Sequence, residues 1–456
     1  MKDLLTCFKS TGCWVLCLLL AGPMEVLAQS LRPMSLSETL TLAVENSVSL
    51  QKARIDRNSV EQKIRERRSG SLPQINGAVN FDFVPERPTQ FWPGELFGGQ
   101  EGAYIPVQIN QPWQTGAIVN VNQVLYDEAA LRMAPAARVS RSLADLLVKR
   151  GEEEVIFYTA TLFYQILQTE QLLRGVNANL EKLDALRQMA QLQLENGYAI
   201  PTDVKRIRVA ITNLETQQRN LLTNIELLKQ NLQFLCNLPL SEPMELAWGN
   251  ETPAADSLRW QQIVLDLETS TEFRLLQNQV ELHRIQSRSQ YGVGFPRLSA
   301  YATAGFQAQR QDVNYFDFEN KWYGLAAVGF KLDVPIFDGF QHRRKSNLLK
   351  LEGQKLELDR NQVNRAKELE FNQAFSQYRS VLAMLHNQEE NVALARDITD
   401  KLFLQYQEGV APLTDLLNAQ TALSEAETHY WTQVFDYKLA VLKLLKAAGK
   451  LEELRG

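Results

Sequence analysis

Along most of the chain, apolar residues recur at alternating steps of three and four. From Val204 they fall at Ile207, Ile211, Leu214, Leu221, Ile225, Leu228, Leu232 and Leu235, interrupted at Gln218. A stripe this narrow is the seam of a coiled coil, since a helix buried in a globular core carries a wider one. A second run keeps the register with smaller residues that let helices approach closely: Leu416, Ala419, Leu423, Ala426, Tyr430, Gln433, Tyr437, Ala440, Leu444 and Ala447. Elsewhere the period changes to two. Ile75, Gly77, Val79, Phe81 and Phe83 alternate with Asn76, Ala78, Asn80 and Asp82, and a like alternation runs from Trp322 to Leu332. One face is apolar and the other small or polar, as in a strand with lipid on one side and water on the other. The stretches near 115–124 and 298–307 fit less cleanly, because Ile118 and Tyr301 fall on the wrong face. Aromatics at the segment ends (Trp92, Tyr104, Trp113, Trp322, Tyr323) suit interfacial girdles, with ordinary sandwich strands as the other reading.

The pattern is written twice. Gly197-Tyr198-Ala199-Ile200-Pro201-Thr202-Asp203-Val204 returns as Gly409-Val410-Ala411-Pro412-Leu413-Thr414-Asp415-Leu416, and at the same offset Leu192 answers to Leu404 and Gln193 to Gln405. Upstream, Leu72-Pro73-Gln74-Ile75 answers to Phe295-Pro296-Arg297-Leu298, and Leu125-Tyr126-Asp127 to Ile336-Phe337-Asp338. The offset shrinks between these two pairs, so the first copy holds about a dozen more residues where Pro85, Pro88, Pro93, Gly94, Gly98 and Gly99 spell a loop. Residues 84–115 and 308–321 are thus expected as the two external loops, the first the longer.

Between Asp127 and Gly197, and again between Asp338 and Gly409, no Pro follows Pro135. Two uninterrupted helices of about 100 Å each are expected at 1.5 Å per residue. Asp127 and Asp338 serve as N-caps, Asp338 with Gln341 as a capping box, and Gly197 and Gly409 as C-terminal stops. Shorter helices at roughly 36–70 and 203–237, stacked end to end, would match one long helix.

Composition narrows the class. Of 456 residues, 45% are hydrophobic and 22% charged, as in a folded chain. The net charge of -5 offers no polybasic surface, so no nucleic acid is expected as a partner. Lys2 and Lys9, the apolar run Val15–Ala21 and the small residue at Ala28 read as a signal peptide cleaved after Ala28, too short to span a bilayer as a helix. Three of the four Cys lie inside it, leaving Cys236 alone in the exported chain, so neither a disulfide framework nor a Cys-rich zinc site is available. None of His283, His342, His386 and His429 sits in a metal-ligand spacing, and Gly292-Val293-Gly294 leads into a strand instead of a phosphate-cradling helix. No enzyme and no cofactor are expected. His342-Arg343-Arg344-Lys345 reads as a solvated basic patch below the strands, with anionic lipid head groups as the sharper alternative.

Four amphipathic strands cannot close a barrel, and an open edge in lipid leaves backbone groups unsatisfied, so the chain must oligomerise. Two copies would supply 8 strands and three would supply 12, and physics alone does not choose. The repeated unit, Gln123 to Asp127, Val334 to Phe340 at the strand-to-helix joins, and the two tip motifs resemble the TolC-like outer-membrane efflux duct family over essentially the whole mature chain. That resemblance implies an α+β membrane protein of two structural repeats, each with two β-strands and long coiled-coil helices. It further implies a homotrimer forming a 12-stranded β-barrel in outer-membrane lipid, continuous with a periplasmic α-helical barrel. Its role would be the exit duct of a tripartite efflux or type I secretion system, passing drugs, small molecules or proteins from an inner-membrane pump and a periplasmic adaptor to the exterior of a Gram-negative cell. The alternative is a secreted coiled-coil scaffold or adhesion protein with a small β domain.

The corresponding boundaries are a signal peptide at 1–28, N-terminal helices at 29–72, a β-hairpin at 73–126 and a helical hairpin at 127–240 with its tip near 197–203. The second copy follows as a linker and first helix at 241–295, a β-hairpin at 296–337 and a helical hairpin at 338–456 with its tip near 409–415. Gate and tip candidates are Gly197, Thr202, Asp203, Tyr406, Gly409, Thr414, Asp415 and Asn418. Asp203 and Asp415 also have a plain reading as first-turn acids at the positive end of a helix dipole. The resemblance implies a hydrogen bond from Asp203 to Tyr406, but the Arg that the family's lock would use falls at Ala411, and the second constriction acid at Asn418.

Overall fold

The computed structural model describes residues 33–455 except 99, 199, 248–259 and 316–320, so the expected signal peptide at 1–28 lies outside the described residues. The chain opens with α1 (Leu36–Asn46), started by a capping box in which Ser35 and Glu38 satisfy each other's backbone N–H groups. Past Ser47, α2 (Val48–Ser69) leads through Pro73 into β1 (Gln74–Phe83). A small hairpin follows, β2 (Thr89–Pro93) and β3 (Tyr104–Gln108), and then β4 (Trp113–Tyr126). The helices α3 (Glu128–Met133), α4 (Ala136–Glu195) and α5 (Pro201–Leu235) complete the first copy. The second copy comprises α6 (Thr271–Gly292), β5 (Arg297–Arg310), β6 (Tyr323–Asp333), α7 (Gln341–Gln407) and α8 (Leu413–Ala447).

β1, β4, β5 and β6 form one antiparallel sheet in that order, with β1 and β6 at its open edges. The register explains the period-two pattern. Ile75, Val121, Ala302 and Val328 lie in one row across the sheet, and Gly77, Val119, Ala304 and Ala326 in the row two residues on. The opposite face carries Asn76, Asn120 and Thr303, whose hydroxyl donates to the Asn120 side chain at 2.8 Å. Both misfits do sit on this polar face. Ile118 is flanked by Ala78 and Gly305, and the Tyr301 ring lies over Gly329, where an added Cβ would stand 2.8 Å from the phenol oxygen. Small cross-strand neighbours thus accommodate what the alternation alone excludes.

Three expectations need correction. The segment 84–115 is not all loop, because β2 and β3 pair within it and β4 already begins at Trp113. The first long helix is not continuous: α3 ends at Met133 and α4 begins after Pro135, whose ring cannot follow the preceding turn without breaking a backbone hydrogen bond. That leaves 60 residues, about 90 Å, in α4, against 67 residues, about 100 Å, in α7. The capping box at Asp338 is replaced by another start. Gly339 and Phe340 both adopt left-handed backbone, and the Asp338 carboxylate accepts from the N–H of His342 at 2.8 Å. Asp127 caps as expected, accepting from Ala130 N–H at 3.0 Å.

The main core is a belt at mid-height where α1, the middle of α4 and the end of α8 meet. Leu40, Ile156, Phe163, Tyr437 and Leu444 are buried there, and the Tyr378 ring packs against Tyr437, tilted by 40° with ring centres 5.7 Å apart. A short parallel bridge between Met34 and Leu246 ties the N-terminal segment into it. Along the α5 seam Leu232 joins this core, and Ile225 and Ile207 are buried beyond it as their spacing predicts. At the polar break in that seam, Gln218 donates to the Asn177 side chain at 2.7 Å, so the interruption is satisfied across the helix pair.

Candidate functional site

The two tips are built alike. At the end of α4, Tyr198 N–H bonds the Gln193 carbonyl at 2.8 Å and Gly197 N–H bonds that of Leu194 at 3.1 Å. At the end of α7, Val410 bonds Gln405 at 2.9 Å and Gly409 bonds Tyr406 at 3.1 Å. Both are Schellman closures, and both need their glycine, at φ +80° for Gly197 and +73° for Gly409. Pro201 then occupies the first position of α5, and Pro412 immediately precedes α8.

Above the turns the two hairpins share a small core of Leu183, Leu186, Ala190, Ile207, Leu413 and Leu416. Tyr406 stands in it, only 8% exposed. Its hydroxyl donates to the Gln193 side-chain oxygen at 3.1 Å, linking the last turn of α7 to the last turn of α4. The hydrogen bond to Asp203 implied by resemblance is therefore not the one made. Asp203, half-buried in the first turn of α5, pairs instead with Arg206 at 3.6 Å. It remains close enough to act on the phenol: burial first, and then the Asp203 charge, hold Tyr406 above the ordinary tyrosine range. Thr202, Asp415 and Asn418 are exposed, Thr414 is half-buried, and Gly197 and Gly409 face open space at the turn. The tips also present Tyr198 and Val410 almost fully to solvent.

Gln193 and Arg206 are the participants that sequence reasoning passed over. The signal was present for Gln193, which answers to Gln405 in the repeat, but a glutamine on a helix face has many ordinary uses. Away from the tips, Arg343, Arg344 and Lys345 are exposed at the start of α7, while His342 packs beside Gln290. Among the described residues no helix is long and apolar enough to cross a membrane, and no group of three or more His, Cys, Asp or Glu could hold a metal ion.

One chain thus presents an open amphipathic sheet above two paired helical hairpins, each ended by a Schellman turn. The sequence model described as "Outer membrane efflux protein" matches residues 267–450. Outer membrane protein TolC of Escherichia coli is 20% identical over 419 residues, covering 89% of this chain and 80% of that protein. The alkaline protease secretion protein AprF of Pseudomonas aeruginosa is 22% identical over 342 residues, covering 74% of this chain and 69% of its own. The crystal structure of the outer membrane protein VceC of Vibrio cholerae superimposes with a TM-score of 0.70 at 16% identity, covering 91% of this chain and 96% of that one. The chain is thus similar to TolC-like outer-membrane efflux proteins, in its second copy by the family model and over most of its length by these relatives and by the fold.

Proposed function

We propose that this chain is an exit duct of the Gram-negative outer membrane, reaching into the periplasm, and that it works as a homotrimer, each chain giving four strands to a 12-stranded barrel and its long helices to a tunnel below. The observation that carries the reading is the sheet β1-β4-β5-β6 itself. Its two edges are unpaired among the described residues, and Val79, Val328 and Phe330 are at least 75% exposed on one face. Lipid tolerates neither open edges nor unmatched polar backbone, so pairing β1 of one copy with β6 of the next satisfies both at once. The opposite, amide-rich face then lines a wet interior.

The paired tips would form the periplasmic entrance, where an adaptor docks and an inner-membrane pump delivers cargo. Gly197, Thr202, Asp203, Tyr406, Gly409, Thr414, Asp415 and Asn418 are its candidate residues, and three copies of Asp415 would surround the axis. The Tyr406–Gln193 bond supports a closed resting tip, because it ties the second hairpin to the first just above the turn. Cargo remains open to both classes named among the relatives, efflux substrates and a secreted protease. Membranes should yield a detergent-soluble trimer that conducts ions in planar bilayers. Recovery as a soluble periplasmic monomer would overturn the duct and favour a secreted coiled-coil scaffold.

A further inference from the structure

A groove of about 850 Å³ lies just below the sheet, between α2, the turn into α3, the start of α4 and one face of α6. Its floor is apolar, with Ile64, Ala136 and Ala144 buried, and its walls include Leu125, Leu131 and Leu147, which are 46–60% exposed. Lys63, Arg67 and Arg68 of α2 also line it, and among the described residues none of the three takes part in an ion pair. The carboxylate on the lining, Asp127, is engaged in capping α3 and in a 3.6 Å contact with Arg297. An apolar trough with three cations along one side, of which Arg68 acts only at longer range on Glu61, is complementary to a ligand with a hydrophobic body and an anionic head.

Which way the groove opens follows from α4. At 100° per residue, Leu147 points about 160° away from Lys149, and Leu143 about 120° away. Lys149 pairs at 3.0 Å with Glu452 of the C-terminal turn, which in turn holds α1 through the Ser37 hydroxyl and the Arg455 carbonyl at 2.9 Å. The groove and this belt therefore occupy opposite faces of the helix layer. In the trimer proposed above, α2, α4, α6 and α7 of each copy give a ring of twelve helices. At about 10 Å per helix its passage is roughly 28 Å across, and three inward belts with a helix each would fill it. With the belt outside, the groove faces the passage.

Resting on that trimeric reading, we infer that the groove is a transit site for amphipathic organic anions, one per protomer, at the top of the tunnel. A cargo molecule leaving the tunnel would lay its apolar body over Leu131, Leu143 and Leu147 and its anionic group against Lys63, Arg67 and Arg68. The passage is otherwise amide-rich at the level of the barrel, so this is the last place where an apolar body finds cover before the exterior.

The test uses the assembled channel in a zwitterionic planar bilayer, with deoxycholate as the anionic amphiphile and dodecyltrimethylammonium as its cationic counterpart. Deoxycholate should interrupt the wild-type current reversibly and saturably, and the cation should not. The triple variant Lys63→Gln, Arg67→Gln, Arg68→Gln should weaken the block at least about tenfold, whereas Arg65→Gln, a charge change on α2 outside the groove, should leave it unchanged. A photoreactive fatty acid added to the aqueous side should label the peptide spanning Leu131 to Leu147. Equal block by all variants, or no saturable block in a conducting trimer, overturns the transit site while leaving the duct intact. Anionic phospholipid recovered in stoichiometric amount from the purified trimer and cross-linked at the same peptide would also overturn it, since the groove would then open to the bilayer. If no trimeric channel forms, the duct reading fails first and takes the transit site with it.

Discussion

Replacing Tyr406 with Phe isolates the tie between the two hairpins. The ring, only 8% exposed among Leu186, Ile207 and Leu416, is kept, so packing is preserved and the change removes one hydroxyl and its 3.1 Å bond to Gln193. A neutral side-chain hydrogen bond contributes about 1 kcal/mol net, and the half-buried Gln193 can recover part of that from water. One such bond per protomer, released together in a trimer that opens as a unit, amounts to about 3 kcal/mol, a shift of roughly 100-fold in the ratio of open to closed tips. Single-channel recording in planar bilayers reads that ratio directly as the fraction of time spent at high conductance. Gln193→Leu should give the same shift, and the double variant should add little to either single change, since both remove one interaction. An open fraction within about twofold of wild type for Tyr406→Phe, or fully additive effects in the pair, would refute the tie and leave Tyr406 as a core residue of the tip.

At Gly409 the backbone sits at φ +73° with nothing within 4 Å of where a Cβ would be, so Gly409→Val is opposed by conformation and not by crowding. The cost is about 1 kcal/mol or more, confined to the turn, and the variant should still assemble in the membrane while efflux, scored as drug susceptibility of the host cell, is lost. A short tag inserted beside Gly98, in the turn of the β2–β3 hairpin, should be tolerated and detected by antibody on intact cells. Detection only after the outer membrane is broken would invert the topology.

Much of the architecture was legible because its periods are unmixed. A seam such as Ile207-Ile211-Leu214 cannot be satisfied by a strand, nor the alternation from Ile75 to Phe83 by a helix, so element type followed directly from spacing. The doubled Gly-x-Ala-x-x-Thr-Asp turn located both tips, because only glycine takes the left-handed position of the Schellman closure without strain. What failed was local. Pro135 breaks a helix that its flanking periodicity carries through, and a hairpin of two five-residue strands hides in a segment rich in Pro and Gly.

The chain's sequence therefore determined by itself the kind of most of its elements and their doubling, because each is written in the local spacing of apolar residues. Tertiary structure alone decided which side chains meet. Gln193 and Tyr406 lie far apart in sequence, and so do Gln218 and Asn177. Whether Tyr406 bonds Gln193 or Asp203 turns on how the two hairpins pack, which no periodicity encodes. The same holds for the groove beneath the sheet. Lys63, Arg67 and Arg68 are ordinary surface cations on α2 until α3 and α4 pack beside them and bring Leu131 and Leu147 to the same wall. Hydrophobic spacing fixes which face of a helix is covered, and only packing fixes what covers it.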